Sequence, residues 1–142
     1  MKKLSRNRLQ FVKVLALLSQ IRWYNIALLL LGQYLIAIFV FAPEDGRIDT
    51  IYDSNTHCIA WAGAFIMAFG FLINSFYDQQ ADSINRPMQS AFERLVSKRT
   101  SLNTAILTLA IGLLLSWSVS TTAAIFFGSF AVGLWYHSHR LR

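Results

Sequence analysis

Sorted into polar and apolar positions, the chain shows four long apolar runs set between short polar stretches. The first covers residues 21–42 and contains IALLLLGQYLIAIFVFA; the second covers 57–78, HCIAWAGAFIMAFGFLINSFYD. Residues 102–118 and 121–136 form the third and fourth. A membrane-crossing helix takes about 20 apolar residues, with about 17 as a lower limit, so the first two runs are long enough to cross. The last two are shorter and have no charge between them, which predicts a tight helical hairpin. A single helix over both would be about 35 residues and would overshoot a bilayer by roughly 20 Å. The pattern therefore predicts an all-α polytopic membrane bundle of four transmembrane helices, one domain over residues 1–142. Ahead of the first run, residues 5–20 set Leu9, Val12, Leu15 and Ala16 beside Arg8 and Lys13. That pattern predicts an amphipathic helix lying on the membrane surface. Ala60, Ala64 and Ala68 recur at a spacing of four, as do Ala124 and Gly128, small residues that let helices approach closely in lipid.

Composition agrees with this picture. Of 142 residues, 55% are hydrophobic, more than a soluble domain normally carries. The net charge of +6 is gathered in clusters between the runs, which argues for orientation in a membrane and against nucleic-acid binding. The N-terminal arm is basic; the first loop carries Glu44, Asp45, Asp49 and Asp53 against Arg47; the second loop carries Arg86, Arg94, Lys98 and Arg99; and the chain ends in Arg140 and Arg142. Basic residues at every second boundary place both termini and the second loop in the cytoplasm, as expected for the inner or plasma membrane of a prokaryote. Trp23, Trp61, Trp117 and Trp135 each fall near one end of a different run, as interfacial aromatics do. The one cysteine, Cys58, excludes an intrachain disulfide. The first run continues past signal-peptide length and is expected to be retained.

The chemistry gathers where the second run ends. In NSFYDQQAD, Asn74, Asp78 and Asp82 are four residues apart, so on a helix they form one stripe with about 6 Å between neighbours along the axis. Two carboxylates one turn apart repel mildly. Mg²⁺ removes that conflict, because it is typically held by one or two carboxylates together with substrate phosphates. Asn74, Asp78 and Asp82 are thus the candidate ligands of Mg²⁺ facing a diphosphate. Solvated end-of-helix carboxylates and an interhelical Asn74 are the plain alternative.

The stretch continues as SINRPMQSAFERLVSKRTS. Taken whole, INSFYDQQADSINRP…ERLVSKRTS resembles the first aspartate-rich motif of the UbiA-type intramembrane prenyltransferases, in which N-x-x-x-D-x-x-x-D closes the second helix before N-R-P and a basic loop. RWYN at residues 22–25 is similar to that family's Arg-and-Asn pattern in the first helix, and WYHSHRLR to the aromatic-then-basic close of the fourth. The resemblance implies transfer of a polyprenyl group from an allylic polyprenyl diphosphate to a lipophilic acceptor, either a quinone-precursor aromatic or a glycerol-phosphate lipid. It implies Asp78 and Asp82 as catalytic metal-holding carboxylates. Asn74, Arg22, Asn25, Arg86, Arg94 and Lys98 would bind substrate. Lys98 and Arg99 have a competing role as topology-setting charges.

Two departures from the family pattern stand out. Ser75 occupies a position that is often Asp in the family. The family's fold has nine helices with a second aspartate-rich motif in its second half, whereas residues 102–142 contain no acidic residue. On the resemblance, the chain is expected to be the N-terminal half of such a fold, inactive without its C-terminal half or a second chain. The rival expectation is a non-catalytic four-helix membrane subunit or transporter fragment. His137 and His139 lie two apart, on different sides of a helix, and are expected at the interface and not at a metal. Gln33 and Tyr34, inside the first run, suit a cavity wall and helix packing equally.

Overall fold

The computed structural model describes the backbone of residues 6–85 and 96–140, with the side chains of 6, 7, 9 and 78–85 left out. All its regular structure is helical. The helices are α1 (Arg6–Ile21), α2 (Trp23–Ile36), α3 (Arg47–Tyr52), α4 (Ser54–Asn85), α5 (Lys98–Val119) and α6 (Thr121–Arg140). Among the described residues, three segments are long and apolar enough to cross a membrane: Trp23–Phe41, Ser54–Tyr77 and Lys98–Val119. The amphipathic segment forms as α1, and the third and fourth runs form two separate helices joined only by extended Ser120. The first loop is more ordered than its polarity suggests, because a 3₁₀ turn at Glu44–Gly46 leads directly into α3.

Helix α4 is the axis of the molecule, with α1, α2, α5 and α6 all packed on it. Its sequence explains why. More than half of its membrane-length segment is buried, whereas none of the corresponding segment of α2 is. Ala60, Ala62, Ala64 and Ala68 are at most 4% exposed. Such small side chains bring helix backbones together, the main source of association between helices in lipid. The predicted Ala60–Ala64–Ala68 stripe is therefore a packing face.

The most extensive contact is between α4 and α5. The buried residues of α5 are Ser101, Ala105, Thr108, Gly112 and Ser116, small residues on one helical face. Their hydroxyls do not go unpaired in the apolar interior: Thr108 Oγ1 donates to the Ala105 carbonyl and Ser116 Oγ to that of Leu113, both at 2.9 Å. At Gly112 the approach is closest. A Cβ there would come within 3.0 Å of the Ile66 side chain and 3.2 Å of the Ala62 carbonyl oxygen. The core of Ile66, Phe69, Leu72 and Ile73 is closed by Phe127 and Ala131 of α6.

Helix α6 turns back along α4. Leu134 lies over Gly70, and the His139 ring reaches Tyr77 with 5.3 Å between centroids. The turn itself is capped, because Ser120 Oγ accepts from the Ala123 N–H at 3.0 Å.

Candidate functional site

Helix α4 continues without interruption to Asn85, seven residues beyond the predicted end of the second run. Asn74, Asp78 and Asp82 thus stand on one helical backbone at i, i+4 and i+8, the condition their stripe requires. The side chains of Asp78 and Asp82 lie outside the described residues, as do Arg86 and Arg94 altogether. Two carboxylates and an amide on successive turns of one helix are a donor set that suits Mg²⁺, which takes oxygen ligands and shares its sphere with phosphate.

Arg22 is brought to this stripe by an unusual backbone. It separates α1 from α2 in the left-handed conformation, with φ 53° and ψ 54°. It is the one non-glycine residue with positive φ among those described. Ser19 accepts its N–H at 3.1 Å, and its own carbonyl accepts the Asn25 N–H at 2.8 Å. The break turns the guanidinium onto α4, 5.5 Å above the Phe71 ring. Phe71 lies three residues before Asn74 and seven before Asp78, so Arg22 stands on the same face of α4 as the polar stripe. Asn25 follows in the first turn of α2, half-buried.

A second tie fixes α5 at this end. Ser101 Oγ donates to Gln20 Oε1 at 2.8 Å, with both residues buried. This bond holds the N-terminus of α5 against the C-terminus of α1, two residues from Arg22. Lys98 and Arg99, both exposed, are one turn away from it. Ser97 caps α5, its Oγ accepting from the Thr100 N–H at 3.1 Å. The structure therefore gathers Asn74, Arg22, Asn25 and Lys98 at the end of the bundle where α4 carries the aspartates.

Sequence reading had missed three contributors here. Gln20 is a lone amide near the apolar end of α1, and that isolation was the available signal. Phe71 and Ser101 are indistinguishable by type from their neighbours. His137 and His139 have different surroundings. His139 stacks on Trp135, with planes 5° apart and centroids 5.5 Å apart, and also meets Tyr77, while His137 is exposed.

At the opposite end of α4, Gln33 and Tyr34 have different surroundings. Tyr34 Oη lies 2.7 Å from His57 Nδ1, a hydrogen bond that ties α2 to α4. Gln33 lines a cavity. Nearby, Asp53 caps α4: its Oδ2 accepts from the Thr56 N–H at 2.8 Å and from Thr56 Oγ1 at 2.9 Å. The backbone bond, followed by the hydroxyl, holds the Asp53 carboxyl below its ordinary range.

Compared with protein-family profiles, with characterised proteins and with solved structures, the chain finds no match.

Proposed function

We propose that the chain forms part of a membrane-embedded prenyltransferase of the UbiA type, acting on an allylic polyprenyl diphosphate and a lipophilic acceptor. One observation carries this reading: the Asn74–Asp78–Asp82 positions share one unbroken helix, and Arg22 lies over Phe71 on the same face. In the reaction, the allylic C–O bond breaks, diphosphate leaves, and the acceptor forms the new bond as it loses a proton. Asn74, Asp78 and Asp82 would hold Mg²⁺, which offsets the charge gathering on the departing diphosphate. Arg22 supplies a fixed positive charge, and Lys98, with Arg86 and Arg94 of the second loop, adds more. Residues 102–142 hold no carboxylate, so on this reading a second acidic cluster comes from a further segment or a second copy.

The proposed topology has four crossings, with both termini in the cytoplasm. Support comes from α6, which at 20 residues is about 30 Å long and runs from Ser120 back to the Tyr77 end of α4. The distribution of loop charge gives the orientation.

Farnesyl diphosphate binding to the protein in nanodiscs, titrated with and without Mg²⁺, tests the reading. Asp78→Asn and Asp82→Asn should each weaken Mg²⁺-dependent binding about tenfold or more, as loss of a metal-supporting group does. Unchanged binding in the double variant would sink the catalytic reading and return the chain to the class of non-catalytic membrane subunits.

A further inference from the structure

Helix α1 carries two apolar faces, and the bundle covers only one. On the inner face Ala16 and Gln20 are buried, and Leu17 and Ile21 reach the core. On the far side Phe11, Val14, Leu15 and Leu18 follow one another at the i, i+3, i+4, i+7 spacing of a single helical stripe. All four are exposed, Phe11 by 65% and Val14 by 53%. Leu18 lies two residues from both Ala16 and Gln20, so the two faces look in opposite directions. Arg8, exposed, precedes Phe11 by three residues and Leu15 by seven and borders the stripe on one side. Gln10 and Lys13, also exposed, form its polar border on the other.

What covers this stripe follows from its level, its length and its side chains. Helix α1 ends where two segments long enough to cross a membrane begin. Trp23 and Tyr24, exposed aromatics of the kind that mark the interface, open α2 directly after it. Its Gln20 is bonded to Ser101 at the start of α5. Gln10–Ile21 is apolar but too short to cross, since all 16 residues of α1 span only about 24 Å. The left-handed break at Arg22 frees α1 from continuing the line of α2. Where helices of this bundle pack on one another, small residues make the contact, as Ala60, Ala64 and Ala68 of α4 and Ala105 and Gly112 of α5 do. The outward stripe of α1 has none, and its bulky side chains suit acyl chains better than another helix.

We infer that α1 seats this end of the bundle in the adjoining leaflet by its outward stripe, and that Arg8 and Lys13 gather phospholipids of net negative charge around it. A helix of this kind lies with its apolar face at the headgroup–acyl boundary and its cations among the headgroups. Every phospholipid offers a phosphate, but a zwitterionic one adds an ammonium that needs a negative partner. Neither α1 nor α5 contains an acidic residue, and exposed Lys98 and Arg99 stand beside the Gln20–Ser101 tie. Anionic headgroups therefore meet these cations without that mismatch. The surface requires neither Mg²⁺ nor diphosphate, so the inference does not depend on the proposed function.

The experiment uses the full chain in nanodiscs, in a Cys58→Ser background with one reporter cysteine carrying an environment-sensitive fluorophore. The reporter is Val14→Cys on the stripe or Gln10→Cys on its polar border. The bilayer is phosphatidylcholine with about one third phosphatidylglycerol, and one lipid or the other carries a doxyl quencher on its acyl chain. Doxyl lipid should quench the dye at position 14, which iodide should not reach; the dye at position 10 should behave in the reverse way. At equal mole fraction, doxyl-phosphatidylglycerol should quench position 14 about threefold or more better than doxyl-phosphatidylcholine. Arg8→Gln combined with Lys13→Gln, both at exposed positions, should bring that ratio to about one while the dye stays in lipid. Iodide access to position 14 would overturn the seating. So would a disulfide joining position 14 of two unlabelled copies, which would assign the face to a second copy. Equal quenching by the two lipids, or a ratio unchanged in the double variant, would overturn the selection of anionic headgroups.

Discussion

Arg22 is a left-handed joint between two helices and, on the proposed function, a diphosphate-binding cation, and its letter in the sequence does not separate the two. RWYN marked it as a candidate cation, but the left-handed backbone that turns it toward Phe71 was illegible, because αL geometry is read from glycine or asparagine and here an arginine adopts it. The two roles can be tested apart. Arg22→Gly relieves about 1 kcal/mol of backbone cost and gives up a cation–π contact worth about 0.5–1 kcal/mol. Thermal stability should therefore move by only a few degrees, while farnesyl diphosphate affinity falls clearly. A large loss of stability with unchanged affinity would make Arg22 a structural hinge alone. Asp53 offers a residue-scale test of pH. Its carboxyl is held low by the Thr56 N–H and hydroxyl, so the unfolded chain takes up its proton first as pH falls. The capping contribution is complete above the ordinary carboxylate value near ~3.9 and is lost as pH falls through the lower folded value. The Thr56 amide shift, followed by NMR, should titrate below pH ~4 in the native chain and stay flat in Asp53→Asn.

Among the elements, the helices themselves were the most legible feature, and their faces the least. Each apolar run became a helix, and the uncharged joint at residues 119–121 became the hairpin. The buried face of α5 escaped notice because in lipid the inward face is marked by small residues and not by greater apolarity. Ser101, Ala105, Thr108, Gly112 and Ser116 are that face, and period alone, searched over small residues, would have found it. Substitution distinguishes a packing glycine from an idle one. Gly112→Ala drives a methyl against Ile66 and the Ala62 carbonyl and should cost about 1–3 kcal/mol. Gly133 has nothing within 4 Å of such a methyl, so Gly133→Ala should gain about 0.5–1 kcal/mol from helix propensity alone. Denaturation in detergent reads both, and equal shifts would contradict the close approach of α4 and α5.

At the scale of the whole molecule, the loop charges predict a topology that labelling can decide. In a Cys58→Ser background, Asp45→Cys should react with a membrane-impermeant maleimide from outside only, and Arg99→Cys and His137→Cys from the cytoplasm only. If residue 137 labels together with residue 45, α6 does not cross. The candidate stripe was legible because Asn74, Asp78 and Asp82 follow one another at helical spacing where the apolar run ends. Its partners were not, because Gln20–Ser101 and Arg22–Phe71 join residues 81 and 49 positions apart in sequence. The length of α4 has one more consequence. At 1.5 Å per residue, Asn74 stands about 30 Å from Ser54, the thickness of the hydrocarbon layer, and Asp78 and Asp82 follow about 6 and 12 Å further out. Upright in a bilayer, the helix works as a depth gauge. In that orientation its amide would mark the floor of the oil, the next rung would lie level with lipid headgroups, and the last would be in water. On the proposed function, a long-tailed phosphate ester would match all three marks only by staying in its own leaflet, tail in the oil and phosphates on the rungs, so the site would select its substrate first by depth.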